Sequence, residues 1–233
     1  MHYFIFPDID TTLYQASGSM NVGLDEVLEV RKDLDASGEN PKVSRIVMKF
    51  DLNEISRSVS DGTITNPKYY LNLYDARPSE LSTSQSLWAY PVSQSWVEGE
   101  GFKGDNPKSE DGASWNYKDN GDTKTQWDGA VTGSGGTWHS DVYASQSLQW
   151  ATRDIRMDVT PIVNKWFDGT YANEGFIIKR SGSIVPNGSG SGTLNTGSAE
   201  GNNDRLGNLS FFSRQTNTIY PPKLEVEWYD TKW

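Results

Sequence analysis

The sequence predicts an all-β protein, an antiparallel, jelly-roll-like β-sandwich with one short helix and long loops. Three observations lead to this fold class. Short runs of alternating or apolar residues recur along the whole chain, separated by many of its 22 Gly and 10 Pro. Aromatic residues make up 12% of the 233 residues, which argues against disorder and for a folded domain with a core. Only one segment has the 3.6-residue period of a helix.

The predicted strands are short and spread along the chain. The apolar run at residues 3–6 is expected to form the first strand. In 45–52 (RIVMKFDL) and 223–229 (KLEVEWY), residues alternate with a period of two, which is typical of a sheet with one solvent-facing side. Val47, Lys49 and Asp51 are expected on that solvent-facing side. The other predicted strands are 69–74, 86–92, 175–179 and 209–213, and the expected core residues are Phe50, Leu71, Leu73, Ile177, Leu224 and Val226.

One helix is predicted, at Thr160–Phe167. Thr160 is suited to cap its N-terminus, and Pro161 then falls at the first helical position. Gly169 is suited to end it in the left-handed conformation. Because two turns are too short to be stable alone, we expect the helix to pack against a sheet, with Trp166 in the core.

Two glycine-rich and polar segments, about 98–136 and 181–208, read as long loops of a single domain that spans residues 1–233. Loops of this length usually carry function or are mobile. Glycine runs within them lack the strand, helix and Lys-Ser/Thr of a phosphate-binding loop, so they are interpreted as turns.

Composition excludes several classes of protein. The net charge of −10 argues against a general nucleic-acid surface, which needs clustered Lys and Arg. Without Cys there are no disulfides or thiolate metal sites, and two His make a multi-histidine site unfavourable. No apolar run is long enough to span a membrane. The N-terminal MHYFIFPDID lacks the pattern of a secretory signal, so we expect folding in the cytoplasm where the chain is made.

Tryptophans near loops are the candidate ligand-binding residues. An exposed indole can stack on a sugar ring while nearby Asp and Asn accept its hydroxyl protons. Trp115, Trp127 and Trp138 are the glycan-binding candidates, and Trp88, Trp96 and Trp150 occupy similar places near loops or strand ends. The alternative is that these indoles anchor the long loops to the body, and we expect at least two of the three candidates to do so. Tyr229–Trp233 is a candidate docking segment.

Carboxylates give weaker signals. Glu98 with Glu100, Asp119 with Asp122, and Asp8 with Asp10 are local pairs, and the favoured interpretation is that they are solvated loop residues rather than a catalytic pair. We therefore expect no catalytic residues and no enzyme activity. No cofactor is expected, although Asp119, Asn120 and Asp122 lie in a loop that would suit calcium.

Eight short motifs, in order along nearly the whole chain, resemble those of the DNRLRE domain, a disaggregatase-related β-sandwich similar to carbohydrate-binding modules. The residues that carry the resemblance are Phe6–Tyr14, Ser44–Leu52, Tyr70–Tyr74, Ser95–Gly99, Ser114–Tyr117, Asp158–Trp166, Phe211–Arg214 and Pro222–Val226. Gln215 departs from the Glu that often follows Ser-Arg in the family. Arg45 is expected to pair with a carboxylate across the sandwich.

The resemblance implies a setting as well as a fold. Stand-alone copies look like virion proteins of tailed phages, so we expect a structural component of the tail, baseplate, neck or capsid surface, localised to the virion. Its partners would be other virion proteins, in a homo- or hetero-oligomeric assembly, and host-surface polysaccharide, but neither nucleic acid nor membrane. The alternative is a non-catalytic carbohydrate-binding module of a bacterial cell-surface or secreted protein.

Overall fold

The computed structural model describes residues 1–38, 41–77, 85–128, 135–148, 153–180, 184–186, 192–194, 200 and 205–229. Strands account for 39% of the structure and helices for 10%, and the sheets are curled and antiparallel. The predicted all-β sandwich is therefore confirmed. The strands are β1 His2–Ile5, β2 Ile9–Tyr14, β3 Val27–Leu34, β4 Pro41–Lys49, β5 Lys68–Leu73, β6 Gln85–Pro91, β7 Tyr117–Asp119, β8 Thr125–Gln126, β9 Ala144–Leu148, β10 Ile155–Asp158, β11 Phe176–Arg180, β12 Ile184–Pro186, β13 Gly192–Leu194, β14 Gly207–Phe212 and β15 Lys223–Glu227.

Two sheets build the sandwich. The smaller sheet has four strands in the order β1-β15-β5-β10. The larger sheet runs β14-β3-β4-β11-β6-β9, with β2 also paired with β4. The pairs β7–β8 and β12–β13 form separate two-stranded sheets. All six segments predicted as strands after residue 44 coincide with a strand of one of the two main sheets.

The main core lies between the two sheets. Leu71, Leu73, Leu224 and Val226 come from the smaller sheet and are fully buried, as predicted. Phe50 follows β4 and joins the same core, where its ring packs edge-on against Phe176 with centroids 6.0 Å apart. Alternation in β5 and β15 places these side chains on one face, so burying that face fixes the register of both strands.

A second apolar cluster lies on the opposite, outer face of the larger sheet. Ile177, predicted to be core, belongs to this cluster rather than to the inter-sheet core. Val47 is its neighbour across the strand pair and is fully buried, so the prediction that Val47 faces solvent is wrong. Lys49 is half-buried, and Asp51 is exposed as predicted. This part of the outer face is not exposed to solvent, because a later part of the chain folds over it.

The predicted helix is present, and a second one accompanies it. Helix α2 spans Thr160–Phe167, and Gly169 follows it at φ +76°. Thr160 is not the N-cap as predicted; it is the first helical residue, and its hydroxyl accepts the Tyr69 N–H at 2.9 Å. Helix α1, Asn53–Ser60, was not predicted. Its sequence NEISRSVS is mostly polar, and its only two apolar residues, Ile55 and Val59, are four positions apart, a helical spacing that the sequence analysis did not use.

The described part of the 98–136 loop packs against the body, with only the short β7–β8 pair as regular structure. Most of the predicted 181–208 loop, Trp150 and the last four residues of the chain lie outside the described residues. Among the residues that are described, no helix is long and apolar enough to cross a membrane.

Candidate functional site

The outer face of the larger sheet carries the three tryptophans that were predicted to bind glycan. We call residues 96–128 and 135–138 the covering segment, because they fold over this face. Trp115, Trp127 and Trp138 lie in the second cluster and are only 8%, 2% and 8% exposed. The Trp127 indole N–H donates to the Ser114 carbonyl at 2.9 Å. Since a sugar needs an open indole face, this burial favours the loop-anchor alternative for all three.

A buried ion-pair group sits under the covering segment. The Arg45 guanidinium donates to Glu200, with Nη2–Oε2 at 2.6 Å, and to the Gly135 carbonyl at 2.6 Å. Its Cζ lies 4.7 Å from the Trp115 ring centroid. The Lys179 ammonium is 3.5 Å from the same Glu200 carboxylate, and burial lowers the pKa of Lys179 to about 8. The expected partner of Arg45 is therefore a carboxylate on the outer face rather than across the inter-sheet core.

One buried amide fastens the covering segment to the start of the chain. The Asn21 side chain is fully buried, and its Nδ2 donates to the carbonyls of Glu98 and Ala113 at 2.6 and 2.9 Å. Its Oδ1 accepts the N–H groups of Gly23 and Gly101 at 3.1 and 2.9 Å. Asn21 thus forms hydrogen bonds with four backbone groups that lie outside helices and strands, which stabilises the covering segment.

Beside the cover, part of the outer face remains open along β6 and β9. Trp88 and Tyr90 project from β6, and Tyr143 immediately precedes β9. The Trp88 and Tyr143 ring centroids are 4.6 Å apart, and Trp88 and Tyr90 stack at 6.2 Å with 14° between their planes. Tyr143 is 48% exposed, Trp88 is half-buried and Tyr90 is buried. The exposed aromatic surface therefore belongs to Trp88 and Tyr143.

Hydroxyl groups continue this surface along the same two strands. Trp88 pairs with Ser145, and Ser86 pairs with Ser147, so the four side chains share one face. The Ser86 and Ser147 hydroxyls are 3.2 Å apart and exposed. The Trp88 indole N–H is buried and has no hydrogen-bond partner among the described residues. We call this surface the β6–β9 strip; it consists of Ser86, Trp88, Tyr90, Tyr143, Ser145 and Ser147.

Sequence reasoning named Trp88 among the tryptophans near strand ends but not as a leading candidate, and it missed Tyr143. Period-2 alternation in 86–92 places Trp88 and Tyr90 on the face opposite Leu87 and Ala89. That signal identifies the outward residues. It does not say which of them the covering segment leaves open.

Two of the acidic candidates, Glu98 and Asp10, accept hydrogen bonds from Arg214. The Arg214 guanidinium donates two hydrogen bonds to Glu98, Nε–Oε1 at 2.8 Å and Nη2–Oε2 at 2.9 Å. The backbone N–H of Arg214 donates to Asp10 Oδ2 at 2.8 Å. Asp10 is almost fully buried, and this burial raises its pKa to about 7. The Glu100 carboxylate does not take part in these contacts. The Glu100 backbone N–H donates to Asp111 Oδ2 at 2.9 Å.

The predicted calcium loop is tied down through side chain to backbone contacts. Asn120 is buried and its Nδ2 donates to the Ser19 carbonyl at 3.0 Å, while Asp119 Oδ1 accepts the Gly121 N–H at 2.9 Å. Asp122 is exposed. Within the described ranges, no three His, Cys, Asp or Glu side chains are grouped so as to hold a metal ion. Calcium at this loop stays a prediction.

Comparison with known proteins adds no relative. A scan against protein-family models finds no match to this chain, and a search of curated proteins finds no significant match. The resemblance to the DNRLRE domain therefore remains a prediction that rests on the motifs quoted above.

Proposed function

We propose that the protein is a non-catalytic binding domain of a tailed-phage virion, which attaches to other virion proteins and holds host-surface glycan on the β6–β9 strip. The observation that carries the glycan part is the open aromatic pair of Trp88 and Tyr143, 4.6 Å apart and flanked by serine hydroxyls.

The strip has the chemistry that a sugar chain needs. An aromatic face is attractive to the apolar face of a pyranose ring, and Tyr and Trp combine a large apolar body with a polar tip. Each serine hydroxyl both donates and accepts hydrogen bonds, as sugar hydroxyls do. All residues of the strip except Tyr143, which immediately precedes β9, lie on two paired strands, so their side chains are held in place without a ligand.

The pairing of Glu200 and Glu98 with cationic side chains supports a non-catalytic role. Glycoside hydrolysis uses two carboxyl groups, one of them available as an acid. Glu200 is neutralised by Arg45 and Lys179, and Glu98 is bound at both oxygens by Arg214. Glu200 is buried and is not open to a substrate, and Glu98, which is half-buried, has both oxygens bound by Arg214.

Exposed apolar side chains on and near β1, at the edge of the smaller sheet, support attachment to a partner. Tyr3, Phe4 and Phe6, on or next to β1, are 39%, 43% and 55% exposed, and Tyr229 is 75% exposed. Exposed apolar groups that cluster are typical of protein–protein contacts. The virion setting itself comes from the resemblance, and the alternative setting is a bacterial cell-surface or secreted protein with the same strip.

Affinity electrophoresis in gels that contain host-cell polysaccharide tests the glycan proposal. We expect the native protein to be retarded and the Trp88→Ala/Tyr143→Ala variant to migrate freely. Tyr229→Ala is the matched control, because it removes an exposed aromatic side chain far from the strip in sequence and should keep the retardation. Equal retardation of the native protein and the double variant would overturn the assignment of the strip.

The virion proposal has a separate test. Mass spectrometry of purified phage particles should detect the protein, and deletion of Tyr229–Trp233 should reduce its amount per particle. Particles that carry normal amounts of the deletion variant would contradict docking through the C-terminal segment. Absence of the protein from particles would favour the bacterial setting.

A further inference from the structure

Strand β1 is an edge of the smaller sheet. It pairs with β15 on one side, and no described strand pairs with it on the other. The Trp228 N–H donates to the Met1 carbonyl at 3.1 Å, so these two residues form a hydrogen-bonded pair of the antiparallel ladder. Because hydrogen-bonded pairs alternate with non-hydrogen-bonded pairs, Tyr3 is also bonded to β15. The backbone N–H and C=O groups of His2 and Phe4 therefore point away from β15.

Other edges of the two sheets are covered by the chain itself. At the edge strand β14, the Ala76 N–H donates to the Ser210 carbonyl at 2.8 Å. At the edge strand β10, the Gln146 side chain accepts the Arg156 N–H at 2.9 Å. In contrast, no described residue bonds to the outward backbone groups of β1.

The sequence of β1 also lacks the usual protection of an edge strand. Proteins protect such strands with a Lys, a Pro or a bulge that interferes with further pairing. The sequence HYFI contains neither Lys nor Pro, and its register with β15 is unbroken. The edge is therefore ready to pair with another strand.

The aromatic side chains of β1 are exposed and already held in position. Tyr3 and Phe4 point to opposite faces of the sheet and are 39% and 43% exposed. The Tyr3 hydroxyl donates to Glu54 of α1 at 3.0 Å, and the Lys223 ammonium lies 4.3 Å from the Phe4 ring centroid. Side chains that are ordered beforehand lose less entropy when a partner binds.

From this edge we propose that two copies of the chain pair through β1, antiparallel, about a two-fold axis that passes beside Tyr3. In this register His2 pairs with the partner subunit's Phe4, and the outward N–H and C=O groups of both residues are used. Tyr3 lies opposite the partner subunit's Tyr3. The two smaller sheets then form one continuous sheet. This inference deepens the attachment part of the proposed function, because it names a second copy as a partner.

A second copy fits this edge because the edge is complementary to itself. Antiparallel pairing is symmetric, so outward groups on two residues that are two positions apart meet the same groups of a rotated copy. Two-fold dimers are also the commonest oligomers, and such a contact occupies the edge of both copies. Since β1 contains no Lys, Arg, Asp or Glu, no like charges lie opposite each other in the pair.

Sedimentation equilibrium of the purified protein, without polysaccharide or virion proteins, tests the self-association. We expect the mass to rise from 26.0 kDa towards twice that value as the concentration increases through the micromolar range. Phe4→Lys should weaken the dimer by about tenfold or more, because it removes two aromatic rings from the contact and puts Lys on the edge. The matched control is Phe102→Lys in the covering segment, where the Phe is 45% exposed, and it should dimerise like the native protein.

Tyr3→Cys tests the register. The chain contains no Cys, so the variant has a single thiol. Opposite residues of a non-hydrogen-bonded pair have Cα atoms about 4.5 Å apart, a separation that a disulfide can bridge. Mild oxidation should therefore convert Tyr3→Cys to a covalent dimer much faster than Phe102→Cys.

Three results would each overturn the proposal. They are a native protein that stays monomeric, a Phe4→Lys variant that dimerises like the native protein, and equal cross-linking of Tyr3→Cys and Phe102→Cys. Gel retardation by polysaccharide and detection in phage particles are measured separately, so failure of the dimer and failure of the proposed function are distinguishable.

Discussion

Arg45 and Glu200 form a fully buried ion pair between residues 155 positions apart in the sequence, with Nη2–Oε2 at 2.6 Å and side chains only 4% and 2% exposed. Lys179 lies 3.5 Å from the same carboxylate, so one negative charge serves two buried cations. Burial alone would raise the pKa of Glu200. Arg45 and Lys179 outweigh it, and the pKa of Glu200 is lowered.

Glu200→Gln should therefore be strongly destabilising. The substitution keeps the size of the side chain but removes the charge that is paired with the buried Arg45 guanidinium, and removing one partner of a buried ion pair typically costs about 3–5 kcal/mol. Urea denaturation at neutral pH measures the loss. Because the Glu200 carboxylate raises the pKa of Lys179, its removal lowers that pKa below about 8, so part of the loss should disappear as the pH rises towards about 8.

The matched control for this ion pair is Glu110→Gln. Glu110 and Lys124 are 3.5 Å apart with side chains 43% and 56% exposed, so removing their attraction should change the free energy of unfolding by less than about 1 kcal/mol. Equal, small effects of the two substitutions would contradict the role assigned to the buried group.

The ion pair also marks the limit of what the sequence predicts. The carboxylate partner of Arg45 was expected, but no local pattern points to Glu200, because loop residues lack periodicity. Strands such as β5 and β15 were predictable, since alternation is a property of a few consecutive residues. The position of the covering segment on the outer face of the larger sheet was not predictable in this way. Val47 was therefore wrongly expected to face solvent.

Asp10 should make stability depend on pH. Burial raises its pKa in the folded state to about 7, above its value near 4 in the unfolded chain. The folded state therefore binds more protons than the unfolded chain between these pH values. The stabilisation that protonated Asp10 gives the folded state is complete below about pH 4 and is lost as the pH rises through about 7. The slope is about 1.4 kcal/mol per pH unit inside that window.

Asp10→Asn removes this dependence, because the amide stays neutral while its oxygen still accepts the Arg214 N–H. Urea denaturation of both proteins at several pH values between about 4 and 8 gives the difference in unfolding free energy. We expect the free energy of unfolding of the variant to increase relative to that of the native protein as the pH rises. Asp122→Asn, at an exposed position, should follow the native profile. Parallel profiles for the native protein and Asp10→Asn would show that Asp10 does not titrate as described.

Trp127 and Trp88 should respond differently to truncation. Trp127 is 2% exposed and hydrogen-bonded to Ser114, so Trp127→Ala should lower the unfolding free energy by about 3–5 kcal/mol. Trp88 is half-buried, and its truncation should cost less. Thermal denaturation and gel retardation are measured on both variants. Loss of glycan retention with little loss of stability in Trp127→Ala would reinstate Trp127 as a binding residue.

Motif residues can be conspicuous for structural reasons, and Gly99, the last residue of the Ser95–Gly99 motif, illustrates this. Its φ is +80°, and a Cβ there would lie 2.5 Å from Cγ of Asn21. Asn21 is the amide that satisfies four backbone groups of the chain start and the covering segment. Only a glycine allows both the left-handed backbone and the close approach.

Gly99→Ala should therefore lower the free energy of unfolding by more than the strain of a left-handed backbone conformation alone. Gly62 has nearly the same φ, +77°, but nothing lies within 4 Å of a Cβ placed there. Gly62→Ala reports the conformational strain by itself, about 1 kcal/mol. Gly99→Ala adds displacement of the Asn21 side chain and loss of some of its hydrogen bonds, so we expect about 2 kcal/mol beyond the control. Urea denaturation measures both variants, and hydrogen exchange at the Gly101 amide should accelerate only in Gly99→Ala. If the two substitutions cost the same and Gly101 stays protected, the contact between Gly99 and Asn21 does not constrain the covering segment.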